Sequence, residues 1–185
     1  MEGQTIGSIR ESMLSLLSEK EYSKIQMKEI AERAHVGRKT LYRYFDSKEK
    51  IVKYVAESLM DRFAQEIHVH NEDGLTLKGV TYAFFVFINN NRAEFSLLKK
   101  ARLLSYIEDN LFELISQVAS KTKFKGMTAD EVQEMQKSQK PEDKYALYYT
   151  LAGYWCVAMA WMDGNDSLMP DEIAEIAVKI MTGQV

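Results

Sequence analysis

One cysteine and two prolines in 185 residues set the first limits. A lone Cys156 cannot close a disulfide within the chain or build a multi-cysteine metal site. Set among apolar neighbours in mid-helix, it reads as a buried, inert thiol. With so few prolines, and nine glycines, long helices meet few breaks. No apolar run near the start fits a signal peptide, so a cytoplasmic protein is expected. No nucleophile–base pair, glycine-rich phosphate loop or paired catalytic carboxylates stand out, so neither an enzyme nor a cofactor is expected. No segment alternates over the length of a strand. Apolar mass is plentiful at 46%, enough for a packed core. The expected fold is all-α.

Residues 4–18 place Ile6, Ile9, Met13, Leu16 and Leu17 on one helical stripe. Met27, Ile30, Ala31 and Ala34 follow at i, i+3, i+4 and i+7, and Gly37 suits the tight turn after them. Arg38 to Phe45 forms about two turns of helix, with Leu41 and Phe45 at i and i+4 as its anchors. Asp46 or Ser47 then caps a long helix carrying Ile51, Val52, Val55, Leu59, Phe63 and Ile67 inward and ending near His68. Apolar helices follow around Val80–Ile88 and Phe95–Val118, whereas the Lys- and Gln-rich stretch 120–143 reads as a loop or weakly packed helix. His68, His70, Glu72 and Asp73 look like ligands, but residues two apart do not share a helix face, so no metal site is expected.

Residues 145–162 carry no charge. Four tyrosines, several small residues and acidic flanks make them a poor membrane span, and no membrane partner is expected. A helix apolar all round is otherwise one buried on all sides. Ala146, Thr150, Gly153, Val157 and Ala160 line up as a small-residue stripe that lets another helix approach closely. The final helix, 171–182, sets Ile173, Ile176, Ala177, Ile180 and Met181 on one face. Arg92, Lys99, Lys100 and Arg102 read as solvent-facing.

The net charge of −3 hides an asymmetry. Residues 33–50 hold six basic against two acidic residues, while residues 51–185 hold fourteen against nineteen. A basic segment on an acidic body is the footprint of a polyanion site. With Leu41 and Phe45 turned inward, Arg38, Lys39, Thr40, Tyr42, Arg43 and Tyr44 face elsewhere. Arginine and lysine early in such a helix reach guanine edges or phosphates, and the hydroxyls bond phosphate oxygens.

Ile30-Ala-Glu-Arg-Ala-His-Val-Gly37 and Arg38-Lys-Thr-Leu-Tyr-Arg-Tyr-Phe45, followed by Asp46-Ser-Lys-Glu49, resemble the head of the TetR/AcrR regulators. The resemblance is close over Ile30–Glu49 and much weaker over the rest of the chain. It implies a helix-turn-helix head over 1–48 and a helical dimerisation and effector body over 49–185. His35 stands where that family usually has glycine, Gly37 where it has serine, Lys39 where glycine is common, and Gln26 where threonine often caps a helix and contacts phosphate. By resemblance, Gln26, Tyr42, Tyr44 and Lys48 hold phosphates, Lys39 faces the groove, and the last two long helices form a four-helix dimer interface through Ala146, Thr150, Gly153, Val157, Ala160, Ile173, Ile176 and Ile180.

The resulting expectation is a homodimeric DNA-binding regulator, a repressor on a near-palindromic double-stranded operator. It is released when an apolar or aromatic small molecule enters the body. Phe63, Tyr82, Phe85, Phe95, Tyr106, Trp155 and Met159 are the candidates to line such a pocket, and the same residues serve equally as ordinary helical core. The alternative is a coactivator or adaptor of the same build whose body binds a protein.

Overall fold

The computed structural model describes residues 2–70, 76–108, 110–111, 141–164 and 167–184. The polar stretch read over 120–143 lies outside them as far as residue 140, as do Leu114, Ile115 and Val118 and the possible ligands Glu72 and Asp73. The described elements are all helical, as expected. They are α1 (Glu2–Glu19), a 3-10 turn (Tyr22–Lys24), α2 (Met27–Arg33), α3 (Arg38–Tyr44), α4 (Lys48–Val69), α5 (Leu77–Asn90), α6 (Arg92–Lys100), α7 (Pro141–Asp163) and α8 (Pro170–Met181). Among the described residues no helix is long and apolar enough to cross a membrane.

Two compact units form. One joins residues 1–60 with 93–110, the other 61–92 with 111–185. In the first, α1 turns Ile9, Met13, Leu16 and Leu17 inward, and α2 packs on it through Ile30 and Ala31. Phe95 and Leu98 of α6 are buried in the same unit. The Arg10 guanidinium is buried and engaged through each of its three nitrogens. Its Nε donates to Ser58 Oγ at 3.0 Å, and its terminal nitrogens bond Glu11 and Glu94. A guanidinium out of water is tolerable only with its donors matched. α6 ends in a left-handed residue, Arg102 (φ 59°), with Leu103 N–H returning to Leu98 O at 2.8 Å.

In the second unit Thr76 caps α5 by accepting the Gly79 N–H at 3.0 Å. α8 lies along α5 and also touches α7. The core is aromatic: Phe63 stacks on Phe87 at 5.0 Å, and Phe85 meets the edge of Trp161 at 5.7 Å. Thr81 and Tyr154 hydroxyls pair at 2.8 Å. Burial pushes the Tyr154 phenol up, and the Thr81 bond opposes that shift.

Several expectations fail here. The helix read as running on from Phe95 to Val118 ends at Lys100, before left-handed Arg102. Arg92 does not face solvent. It donates to the carbonyls of Trp161 (3.1 Å) and Met162 (2.8 Å) and lies over the Trp161 ring, capping the end of α7. The uncharged stretch of α7, 145–162, is not covered on all sides. Leu151, Trp155, Ala158 and Trp161 are buried, while Ala152, Gly153, Cys156 and Ala160 are exposed. Cys156 is therefore an exposed thiol: its neighbours in sequence are apolar, but among the described residues its side of the helix is left open.

Candidate nucleic-acid interface

Helix α2 begins where Glu29 reaches back to accept the Gln26 N–H at 2.9 Å, one half of a capping box. The Lys20 ammonium and that bond hold the Glu29 carboxyl below its usual range. α2 closes in a Schellman end. Val36 N–H bonds Ala31 O at 3.0 Å and His35 N–H bonds Glu32 O at 3.2 Å, with His35 left-handed at φ 53°. The positive φ thus falls on His35 and not on Gly37. Gly37 is extended (φ −67°, ψ 148°) and is the N-cap of α3.

Leu41 is 0% exposed and Phe45 sits edge-on to Tyr54, so α3 is held by the two anchors read from the sequence. Arg38, Lys39, Tyr42 and Arg43 are exposed, while Thr40 and Tyr44 are half-buried. Arg43 donates to the Tyr44 hydroxyl at 2.9 Å and lies over its ring, so these two side chains are one unit. A concavity of about 590 Å³ has Gln26, Lys28, Arg38, Tyr42 and Ser47 in its wall, together with the acids Asp46 and Glu49, beside the N-termini of α2 and α4. Helix N-termini present free N–H groups and favour anions.

Lys48 is placed differently from the expectation. Its ammonium donates to the carbonyls of Tyr22 (2.8 Å), Ser23 (3.3 Å) and Ile25 (3.1 Å) and lies 4.4 Å from the Tyr22 ring. Its three protons are committed within the head, where they tie α4 to the 3-10 turn that leads into α2. Tyr22 donates in turn to Glu49 at 3.0 Å, and burial together with that carboxylate drives the phenol pKa up. Nothing local in Ser47-Lys48-Glu49 shows this, because the carbonyls come from a turn more than twenty residues earlier.

The other candidates divide between the units. Phe63 and Phe85 (both fully buried), Tyr82, Trp155 and Met159 belong to the second, with Tyr82 against His70 at 4.8 Å. Phe95 and Tyr106 belong to the head-bearing unit. Of the interface candidates, Gly153 and Ala160 are exposed and Val157 is half-buried. The side chains of Ala146 and Thr150 lie outside the described residues. Ile176 and Ile180 are 41% and 54% exposed, whereas Ile173 is 7% exposed, in its own unit's core.

Residues 9–55 match the family described as bacterial regulatory proteins, tetR family. An uncharacterized HTH-type transcriptional regulator of Bacillus subtilis (strain 168), YxbF, is 30% identical over 95 residues. That match covers 49% of this chain and 25% of the relative, so the chain spans about a quarter of that protein's length. Among solved structures, a TetR transcriptional regulator from Streptococcus agalactiae 2603V has a similar fold, with TM-score 0.61, 19% identity and coverage of 96% of this chain and 93% of that one. The dihydroxyacetone kinase operon activator DhaS is also similar in fold, with TM-score 0.56, 17% identity and coverage of 98% and 96%.

Proposed function

From a chain that carries the DNA-binding head of the tetR family of bacterial regulatory proteins, on a TetR-like all-helical fold, we infer a homodimeric repressor of a near-palindromic operator. The observation that carries the reading is α3. It is pinned by Leu41 and Phe45, so Arg38, Lys39 and Tyr42 stand exposed on a short, rigid helix of the size the major groove admits. Arg38 and Lys39 read bases, and Tyr42, with Gln26 and Thr40, holds phosphates. Arg43 and Tyr44 act as a joined pair. Lys48 serves the head from within.

Dimerisation is supported by the uncovered face of α7 around Gly153, Cys156 and Ala160 and by exposed Ile176 and Ile180 on α8. A two-fold axis through such a face sets the two α3 helices at about 34–36 Å or a multiple. For the effector we retain an apolar or aromatic small molecule acting at the second unit's aromatic cluster, with Phe95 and Tyr106 serving the head. A second reading, a coactivator or adaptor whose body takes a protein partner, draws support from the fold shared with a protein named an operon activator.

Selection of binding sites from random duplex DNA tests the DNA reading directly. With the selected duplex in hand, Arg38→Ala is expected to lose about 1–3 kcal/mol at one base position, and Tyr42→Phe to weaken selected and scrambled duplexes alike. Equal losses on both duplexes for Arg38→Ala remove its base-reading role, and recovery of no sequence moves the weight to the protein-partner reading.

A further inference from the structure

A second concavity, of about 500 Å³, adjoins the first and shares Tyr42 and Asp46 with it as a ridge. Its wall carries Arg43 and Tyr44 from α3 and Lys50, Lys53 and Tyr54 from α4. Lys50 and Lys53 are one helical turn apart, both exposed, and so stand on one side of α4. The acids nearby are Asp46 on the ridge and Glu57. Glu57 faces Lys53 at 3.8 Å with both side chains about half exposed, a pairing too weak to hold the lysine against a stronger anion.

A helix lying in the major groove has a sugar–phosphate strand on each flank, because the groove is about 12 Å wide. The Gln26–Arg38 concavity accounts for one flank only. We propose that Lys50 and Lys53, with Arg43 and Tyr44 beside them, hold phosphates of the second strand. This extends the DNA-binding surface along α4, past the helix start at Lys48. It rests on the DNA-binding reading above and adds a second set of contacts to it. These contacts carry no base information: they fix the register of α3 in the groove and raise affinity for every duplex equally.

The test is the salt dependence of binding, read by fluorescence anisotropy with labelled random-sequence duplex and with the duplex recovered by selection. Taking away one lysine that neutralises a phosphate lowers the slope of log affinity against log salt by about 0.9. Over a fourfold salt step this shrinks the fall in affinity by about 3.5-fold per lysine. Lys50→Ala and Lys53→Ala should each do this on both duplexes, and together they should lower the slope by about 1.8. Glu57→Gln should tighten both duplexes, and Lys179→Ala on α8 should change neither. Unchanged melting temperatures show that the variants remain folded, since the replaced side chains are exposed. Wild-type slopes for both lysine variants overturn the second cradle and leave the DNA reading standing. Failure of the wild type to bind either duplex overturns both.

Discussion

His35 and Gly37 hold each other's natural places. The left-handed end of α2 is taken by histidine (φ 53°), and the extended N-cap of α3 by glycine. An L-residue in the left-handed region is about 1–2 kcal/mol less stable than in the right-handed one, histidine being among the better-tolerated side chains there. His35→Gly removes that strain and adds about 0.5–1 kcal/mol of backbone entropy to the unfolded chain, a net gain of roughly 0.5 kcal/mol. His35 is exposed, so the change sacrifices no packing. At Gly37 a Cβ meets only Thr40 Oγ1 at 3.9 Å, an ordinary separation. Gly37→Ser adds a capping oxygen worth a few tenths of a kcal/mol and about 0.4–1 kcal/mol from a stiffer unfolded chain. The two changes together should stabilise by about 1–1.5 kcal/mol, raising Tm by roughly 2–6 °C for a chain of this size. They lie in one turn and need not add strictly. Urea titration should show a higher midpoint at unchanged slope. Arg102→Gly at the equivalent end of α6 is an independent replicate. Destabilisation by His35→Gly would refute the reasoning, because the side chain is exposed and has no burial to offset the strain.

A Cβ at Gly153 meets nothing within 4 Å among the described residues, so Gly153→Leu should leave the fold intact and act only on association. Light scattering is expected to show the wild type as a dimer and the variant shifted towards monomer, and a wild-type monomer or a variant dimer of equal affinity counts against the α7 face. For the effector, a thermal-shift screen across apolar, anionic and metal ligands should give stabilisation with apolar or aromatic compounds, about 2.7 kcal/mol at a hundredfold excess over Kd. Hits confined to anions or metals are incompatible with the aromatic cluster as the receiving site.

How much of this was legible in the sequence depends on which question periodicity answers. It separates a helix's apolar side from its polar side, so Leu41 and Phe45 were readable as anchors and the exposed set on α3 followed. It does not separate two partners that both take apolar surface. Ile173, Ile176 and Ile180 share one stripe, yet Ile173 is buried within its own unit while Ile176 and Ile180 stay open. The same ambiguity misplaced Cys156: apolar neighbours along the chain imply burial only if every side of the helix has a neighbour within the chain.

Charge misleads in the opposite way. A basic residue reads as solvent-facing or DNA-facing because the sequence shows no local acceptor, but backbone carbonyls are acceptors everywhere and a helix end leaves several unpaired. Arg92 finds the last carbonyls of α7, and Lys48 finds three carbonyls at the 3-10 turn. Both were missed because the acceptor belongs to a distant segment and has no residue type to recognise. By the same logic the lysines best suited to phosphate are those, like Lys50 and Lys53, that are exposed in a concavity beside α3, Lys53 with only the half-exposed Glu57 facing it. Lys48 sits in the stretch that resembles the regulator head, but its protons are already donated within the protein.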